Sequence, residues 1–417
     1  MDRTGTLVVV GAGHAGVEFA FAARQQGWAG VIVLLGEEPH LPYHRPPLSK
    51  AFLCGTADAD SLALRQASAF EAASITLRLG TRVRAICRLS RQVHLDDDSV
   101  LDYTKLALCT GGRARLLDVP GMEGDAPPNL FSLRSQDDAL ALAKSIGAGS
   151  RMVIIGAGYV GLEVAASARK LGATVTVLES QPRVLARVTS ATLSSFYETV
   201  HCEAGVDVRT GASVQGVERA ADGAVTAVLC SDGERLPADV VVVGIGMQPD
   251  IALAAAAGLR LDGGIVVDEH SVTSDPDVLA AGDCTVQDSA LYSRRVRLES
   301  VSNALEQARA GAGWLCSKLR PNRAVPWFWS EQYDLKLQTA GLSEGYDACV
   351  LRGSPGDRSF SAFYLREGCL ISVDAVNRPG DFMLAKKAVA LRTAVNADSL
   401  ADGDTSLKDL LAAGQSV

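Results

Sequence analysis

Gly11, Gly13 and Gly16 stand in G-x-G-x-x-G spacing directly after the apolar run LVVV. Each glycine has a physical job: the first turns the chain tightly, the second lets the backbone approach a pyrophosphate, and the third lets a helix pack against the strand. The N–H groups at the start of that helix, together with its macrodipole, favour an anion. Glu37 follows where an acid meets a ribose hydroxyl, with Glu38 as a substitute one residue on. The unit reads as an FAD site. Gly156, Gly158 and Gly161 repeat the spacing after MVII, and Glu179 closes the next strand 18 residues beyond the last glycine. Two complete units, each in its own strand–turn–helix context, are far more specific than one.

Other residues of the right type cluster around these units. Arg45 and Lys50 flank Pro46 and Pro47, whose fixed φ excludes a helix through them and holds two cations on a stiff loop beside an anionic cofactor. Glu179 accepts hydrogen bonds from a 2′-hydroxyl and repels a 2′-phosphate, which favours NADH. Arg183 and Arg187 lie close behind it and keep NADPH open, because arginine pairs with phosphate. Glu163 has two readings: a group near the reacting end of the dinucleotide, or an acid placed to suit the helix dipole. Asp283 also has two, as a ligand to a ribityl hydroxyl or as the N-cap of a helix after it. Val83 reads as a strand residue whose backbone reaches an adenine, and Gly244, Gly246 and Pro249 as a backbone edge for nicotinamide.

The elements that must position these groups follow from apolar periodicity. Strands end at the glycine turns and again at Thr110, Gly111 and Gly112. Residues 75 to 101 alternate as strands, helices are expected over Ser135–Ile146 and Ser302–Leu315, and residues 340 to 377 alternate again before a helix over 379 to 395. The fold class is α/β: two Rossmann-like dinucleotide-binding domains with a C-terminal α+β domain. The expected division is 1–115 and 247–322 for the FAD domain, 116–246 for the NAD domain and 323–417 for the C-terminal domain.

Composition narrows the class. The 417 residues are 47% hydrophobic and 21% charged with a net charge of −8, which suits an α/β enzyme and gives no basic footprint for nucleic acid. No apolar run reaches 18 residues, so no spanning helix is expected. Gly11, Gly13, Gly16 and Glu18 interrupt the N-terminal apolar run, so it reads as strand and helix in a cytoplasmic protein rather than as a signal peptide. The closest two of the nine cysteines are 20 residues apart, which excludes a C-x-x-C pair or a zinc ribbon. No metal site is expected.

The motifs GAGHAG, RPPLSK, GAGYVGLE, AAGDC, ESVSNA and PWFWS, in this order, resemble the FAD-dependent, NADH-linked ferredoxin reductases that serve bacterial cytochromes P450 and ring-hydroxylating dioxygenases. The resemblance runs along essentially the whole chain. It implies a glutathione reductase superfamily fold, with FAD contacts at Ala15, Glu37, Arg45, Lys50, Val83, Arg134, Asp283 and Val301. It further implies that Glu163 lies beside the nicotinamide and pairs with Lys50, and that Trp327 takes an aromatic position near the flavin with Trp329 as partner. Family members often carry Asp where this chain has Glu37. The implied reaction passes a hydride from NADH to FAD and then single electrons to a small [2Fe–2S] ferredoxin, the protein being a monomer or weak homodimer.

Three rival readings share parts of this pattern. A disulfide reductase needs a redox cysteine pair after the first unit, and residues 40 to 50 contain none. An NADH oxidase needs one cysteine near the flavin, for which Cys54 stands alone. A signalling flavoprotein that binds nucleic acid conflicts with the acidic charge. An acidic ferredoxin would need a local basic patch, for which Arg309, Lys336, Lys386 and Lys387 are the candidates.

Overall fold

The computed structural model describes residues 3–414. The chain divides into two compact units. One is built from the segment ending at His44 together with Ala59–Arg113 and Gln248–Pro326; the other from Arg45–Asp58, Ala114–Met247 and the segment from Trp327 onward.

The first unit holds a five-stranded parallel sheet in the spatial order Val278–Ala280, Lys105–Leu108, Leu7–Val10, Ile32–Leu35, Ile75–Arg78. Its central strand is buried at all four positions. A run of aliphatic residues with no polar face suits a strand covered on both sides. Helix His14–Gln26 leaves this strand through Gly13 and stops at Gly27, whose φ of 108° forms a left-handed cap closing on the Ala23 and Arg24 carbonyls. It packs on helix Val301–Leu315, and an added Cβ at Gly311 would lie 2.6 Å from the Phe19 ring. That glycine sets how closely the two helices approach. Val83–Cys87, Gln92–Leu95 and Val100–Asp102 form an antiparallel meander.

The second unit repeats the design, with a parallel sheet ordered Asp207–Thr210, Thr174–Glu179, Arg151–Ile155, Val240–Val243, Leu130–Phe131. Beside it is a five-stranded antiparallel sheet ordered Trp327–Gln332, Leu335–Gly341, Cys369–Val376, Ser359–Arg366, Ala348–Ser354. Strands Ser359–Arg366 and Cys369–Val376 are buried nearly throughout, because helix Pro379–Ala390 lies against the latter and Phe360 meets Phe196 of the parallel half at 4.9 Å. The α/β class with two parallel nucleotide-type sheets and an α+β tail is therefore the observed architecture.

Three local expectations change. Pro46–Ser49 forms a 3-10 turn with proline at its first position, so the prolines start a helical turn rather than exclude one; the first N–H of a helix has no internal partner to lose. The residues after Asp283 form the strand Thr285–Ser289, so Asp283 caps no helix. The last long helix ends at Ala390 rather than 395, closing through Leu391 before the chain turns.

Burial of ionisable groups sets the pH response of the fold. Burial pushes the His201 imidazole below its usual value, against the opposing bond with Gln332. The native state then holds fewer protons than the unfolded chain, so this contribution is complete above about pH 6.5 and is lost as pH falls through the window below it. Burial pushes the Asp374 carboxyl up, opposed by Thr189, Tyr364 and Thr339. Its contribution has the opposite sign: present below the ordinary carboxylate value and lost as pH rises through the native one. The expected result is a urea midpoint that drops between pH 7 and pH 5.5 and drops less in His201→Gln; an unchanged slope in that variant would refute the assignment.

Candidate functional site

The two glycine turns have the same geometry. Gly11 and Gly156 adopt φ of 102° and 105°, and an added Cβ would lie 2.2 Å from the Cys109 carbonyl oxygen or 2.5 Å from that of Gly244. Both turns therefore require glycine. At Gly16 and Gly161 a Cβ would meet the carbonyl oxygens of Gly11 and Gly156 at 1.8 and 2.1 Å, which explains how each helix can start so close to its strand. Gly13 and Gly158 face open space, with nothing within 4 Å of an added Cβ. A backbone held open at the helix N-terminus fits the pyrophosphate of a dinucleotide in both units.

Around the first turn, Ala15 is buried and sits opposite Gly282, where an added Cβ would approach it to 3.0 Å. The chain from strand Val278–Ala280 thus brings Asp283 to the same end of the sheet. Gly282 is held by its N–H donating to Gln307 Oε1 at 2.8 Å, and Val301 begins the helix that carries Gln307, with Ser300 as its cap. Glu37 is 61% exposed and meets Arg82 at 3.4 Å. Glu38 is engaged differently, accepting from the Tyr43 hydroxyl. Val83 is buried opposite Leu95. Sequence reasoning overlooked His14, which is buried with Nε2 3.3 Å from His44 Nδ1, although both lie inside or next to quoted motifs.

Around the second turn, Glu179 accepts from the N–H groups of Ala157 and Gln181, each at 2.8 Å. Arg183 is spent locally, donating to Thr189 O at 2.8 Å and Ala186 O at 2.7 Å on its own loop and to Ser194 Oγ at 2.6 Å on helix Ala191–Glu203. Arg187 instead reaches toward Gly246, its guanidinium 3.5 Å from where a Cβ there would stand. Gly246 itself has φ of 101° and accepts from the Arg115 N–H at 3.0 Å.

Arg45, Lys50 and Arg134 belong to the second unit. Arg45 donates to the Arg134 carbonyl at 2.5 Å, while the Arg134 N–H is taken by Asp138. Lys50 Nζ lies 2.8 Å from Glu163 Oε2, with side chains 16% and 5% exposed. The carboxylate takes two further donors, Ser49 Oγ at 2.5 Å and Ser330 Oγ at 2.7 Å. Ser167 Oγ fastens the Ser49 carbonyl at 2.7 Å, so the 3-10 turn is tied to the helix that carries Glu163. A buried carboxylate with one cation and two hydroxyls is a satisfied, oriented charge. Ser49 and Ser330 were missed as site residues although RPPLSK and PWFWS contain them; no local rule tells a serine that it will face a glutamate far along the chain.

Trp327 and Trp329 stack at 5.4 Å, with Lys386 Nζ 4.9 Å over the Trp327 ring and Phe382 on its flank. Of the other basic candidates, Lys336 and Lys387 are exposed. Arg309 is neutralised by Glu18 at 2.6 Å and Glu306 at 3.0 Å. None of the nine cysteines forms a disulfide. Among the described residues no helix is long and apolar enough to cross a membrane.

Two dinucleotide cradles in tandem, with an oriented lysine–glutamate pair in the second unit, define an oxidoreductase that handles two nucleotide cofactors. The chain belongs to the pyridine nucleotide-disulphide oxidoreductase family, whose model matches residues 5–308, and a reductase C-terminal model matches 327–411. Members use FAD and NAD(H). The chain is 49% identical to putidaredoxin reductase CamA of Pseudomonas putida over 100% of this chain and 99% of that one. It is 45% identical to rhodocoxin reductase of Rhodococcus erythropolis, covering 97% and 93%. A crystal structure of the covalent putidaredoxin reductase–putidaredoxin complex superposes with a TM-score of 0.96 at 49% identity, covering both chains fully.

Proposed function

We propose that this oxidoreductase takes a hydride from NADH onto FAD and passes the electrons singly to a [2Fe–2S] ferredoxin that feeds a cytochrome P450 or a ring-hydroxylating dioxygenase. FAD, when bound, supplies the conversion between a two-electron donor and one-electron acceptors. The observation that carries the reading is the pair of open glycine cradles, joined by full-length similarity to named redoxin reductases.

The chain's own residues then have defined tasks. Gly11, Gly13, Ala15 and Gly16 admit the FAD pyrophosphate, Glu37 its ribose, Val83 its adenine through the backbone, and Asp283 and Val301 the flavin end. Arg45 and Arg134 add cationic support. Gly156, Gly158 and Gly161 admit the nicotinamide dinucleotide, with Glu179 on the ribose and Arg187 and Gly246 further along it. Lys50 stabilises the negative charge gained on reduction, Glu163 orients Lys50 and the nicotinamide, and Trp327 covers the exit for electrons. The functional division is 1–115 and 247–322 for FAD, 116–246 for NAD and 323–417 for the C-terminal domain, in a cytoplasmic protein.

Anaerobic titration with NADH, then NADPH, followed by a [2Fe–2S] ferredoxin and a cytochrome, tests this. The expected result is flavin bleaching by NADH and fast cytochrome reduction that requires the ferredoxin. That reduction should weaken several-fold as salt rises, because an acidic partner is steered by Lys336, Lys386 and Lys387. Bleaching without electron exit to any ferredoxin would favour an oxidase instead.

A further inference from the structure

Glu163 is the inner end of a chain of hydrogen bonds that crosses the second unit. Tyr333 Oη is 3.1 Å from His201 Nδ1, and His201 Nε2 is 2.8 Å from Gln332 Oε1. Gln332 Nε2 donates to Ser330 Oγ at 3.1 Å, and Ser330 Oγ donates to Glu163 Oε1 at 2.7 Å. The three intermediate side chains are buried, whereas Tyr333 lies at the exposed end. His201 comes from helix Ala191–Glu203 and Ser330 and Gln332 from strand Trp327–Gln332.

The direction of every bond follows from one charge. An ionised Glu163, held by Lys50, only accepts, so the Ser330 hydroxyl must give it a proton. Ser330 then has only a lone pair for Gln332, which must present its NH2 there and its carbonyl to His201. That carbonyl needs a donor, so His201 carries its proton on Nε2 and leaves Nδ1 bare. Tyr333 must therefore donate. All four dipoles point toward Glu163, and bonds aligned in this way polarise one another in a low-dielectric interior.

We infer that His201 is a positioning residue for the reaction, acting through Gln332 and Ser330 to fix the orientation and charge of Glu163. The inference rests on the reading that Glu163 and Lys50 serve hydride transfer. Burial keeps the imidazole below its usual value, so at neutral pH it is the single-proton form that the relay requires. Arg169 and Cys202 are the titratable groups that act on Tyr333 at the outer end.

A tie that merely joined helix to strand would leave Glu163 indifferent to Gln332. The discriminating measurement is anaerobic stopped-flow reduction of the holoenzyme by NADH for Gln332→Met, Ser330→Ala and the double variant. Each single variant should lower the limiting reduction rate about three- to tenfold, the effect of losing one ordinary net hydrogen bond. The dissociation constant for NADH should stay the same. Because both changes act through one hydroxyl, the double variant should be no slower than Ser330→Ala alone. An unchanged rate in Gln332→Met, or effects that multiply, overturns the inference. Glu163→Gln separates the two levels: if it slows reduction while Gln332→Met does not, only the relay fails. If Glu163→Gln leaves reduction unchanged, the Lys50–Glu163 reading falls and the relay with it. A second measurement avoids any question of folding: nitrogen NMR of histidine-labelled wild-type holoenzyme at neutral pH. The His201 signals, identified by their loss in His201→Gln, should show a neutral ring protonated on Nε2. The opposite tautomer or a doubly protonated ring refutes the chain of bonds.

Discussion

Lys50→Met is expected to slow flavin reduction by NADH about a hundredfold, the loss seen when one preorganised stabiliser of developing charge is removed. The substitution keeps the length of the stem and removes only the ammonium. Stopped-flow reduction under anaerobic conditions reads the effect directly, and a rate unchanged from wild type would remove Lys50 from the mechanism. The same variant carries a stability signature. Glu163 is 5% exposed, and a buried carboxylate that loses its cation costs about 3–5 kcal/mol where no other donor compensates. Ser49 and Ser330 remain as donors, so the cost should fall toward the lower end. Adding Glu163→Gln to Lys50→Met should recover much of that stability while leaving reduction slow. A chemical-denaturation series over the two single variants and the double variant separates the two effects.

The wild-type enzyme is expected to prefer NADH over NADPH by about a hundredfold or more in kcat/KM for flavin reduction. Two unit charges about 4 Å apart repel by about 1 kcal/mol in water and about 4 kcal/mol near a protein surface, which spans this range. Glu179 is well suited to exert that repulsion, because the Ala157 and Gln181 N–H groups hold its carboxylate in place. The sequence alone left the matter open through Arg183 and Arg187. Arg183 is now accounted for by its bonds to Thr189, Ala186 and Ser194, and Arg187 turns toward Gly246. Glu179→Gln keeps the shape and removes the charge, and should narrow the preference at least tenfold, mainly by improving NADPH. Equal use of both nucleotides by the wild type would contradict this assignment.

The parts of this molecule that were legible in the sequence are those dictated by local rules. Turn glycines announce themselves, because no other residue tolerates the φ of Gly11 or Gly156 with a carbonyl so close. Strands with two buried faces read as LVVV or VVVV. The 3-10 turn at Pro46 was misjudged for a local reason, since proline excludes a helix only beyond its first turn. What could not be read is whatever depends on tertiary meeting. Ser49 and Ser330 look like any serines, and His201 looks like a helix residue. Their roles come from topology that brings residues 49, 163, 201 and 330 into one cluster, and a single sequence carries no mark of that meeting.

The site's carboxylate also bears on the order in which the polypeptide is made. Glu163 draws its partners from Ser49 and Lys50 on one side and Ser330 on the other, and the compact unit around it is assembled from three separate stretches. During synthesis the ribosome delivers the cation first, the acid next, and the last hydroxyl only when strand Trp327–Gln332 emerges. Until then the nascent second unit lacks part of its polar core and the sheet that covers it. Its completion is a late event of translation, whereas its glycine turn and parallel strands leave the exit tunnel well before.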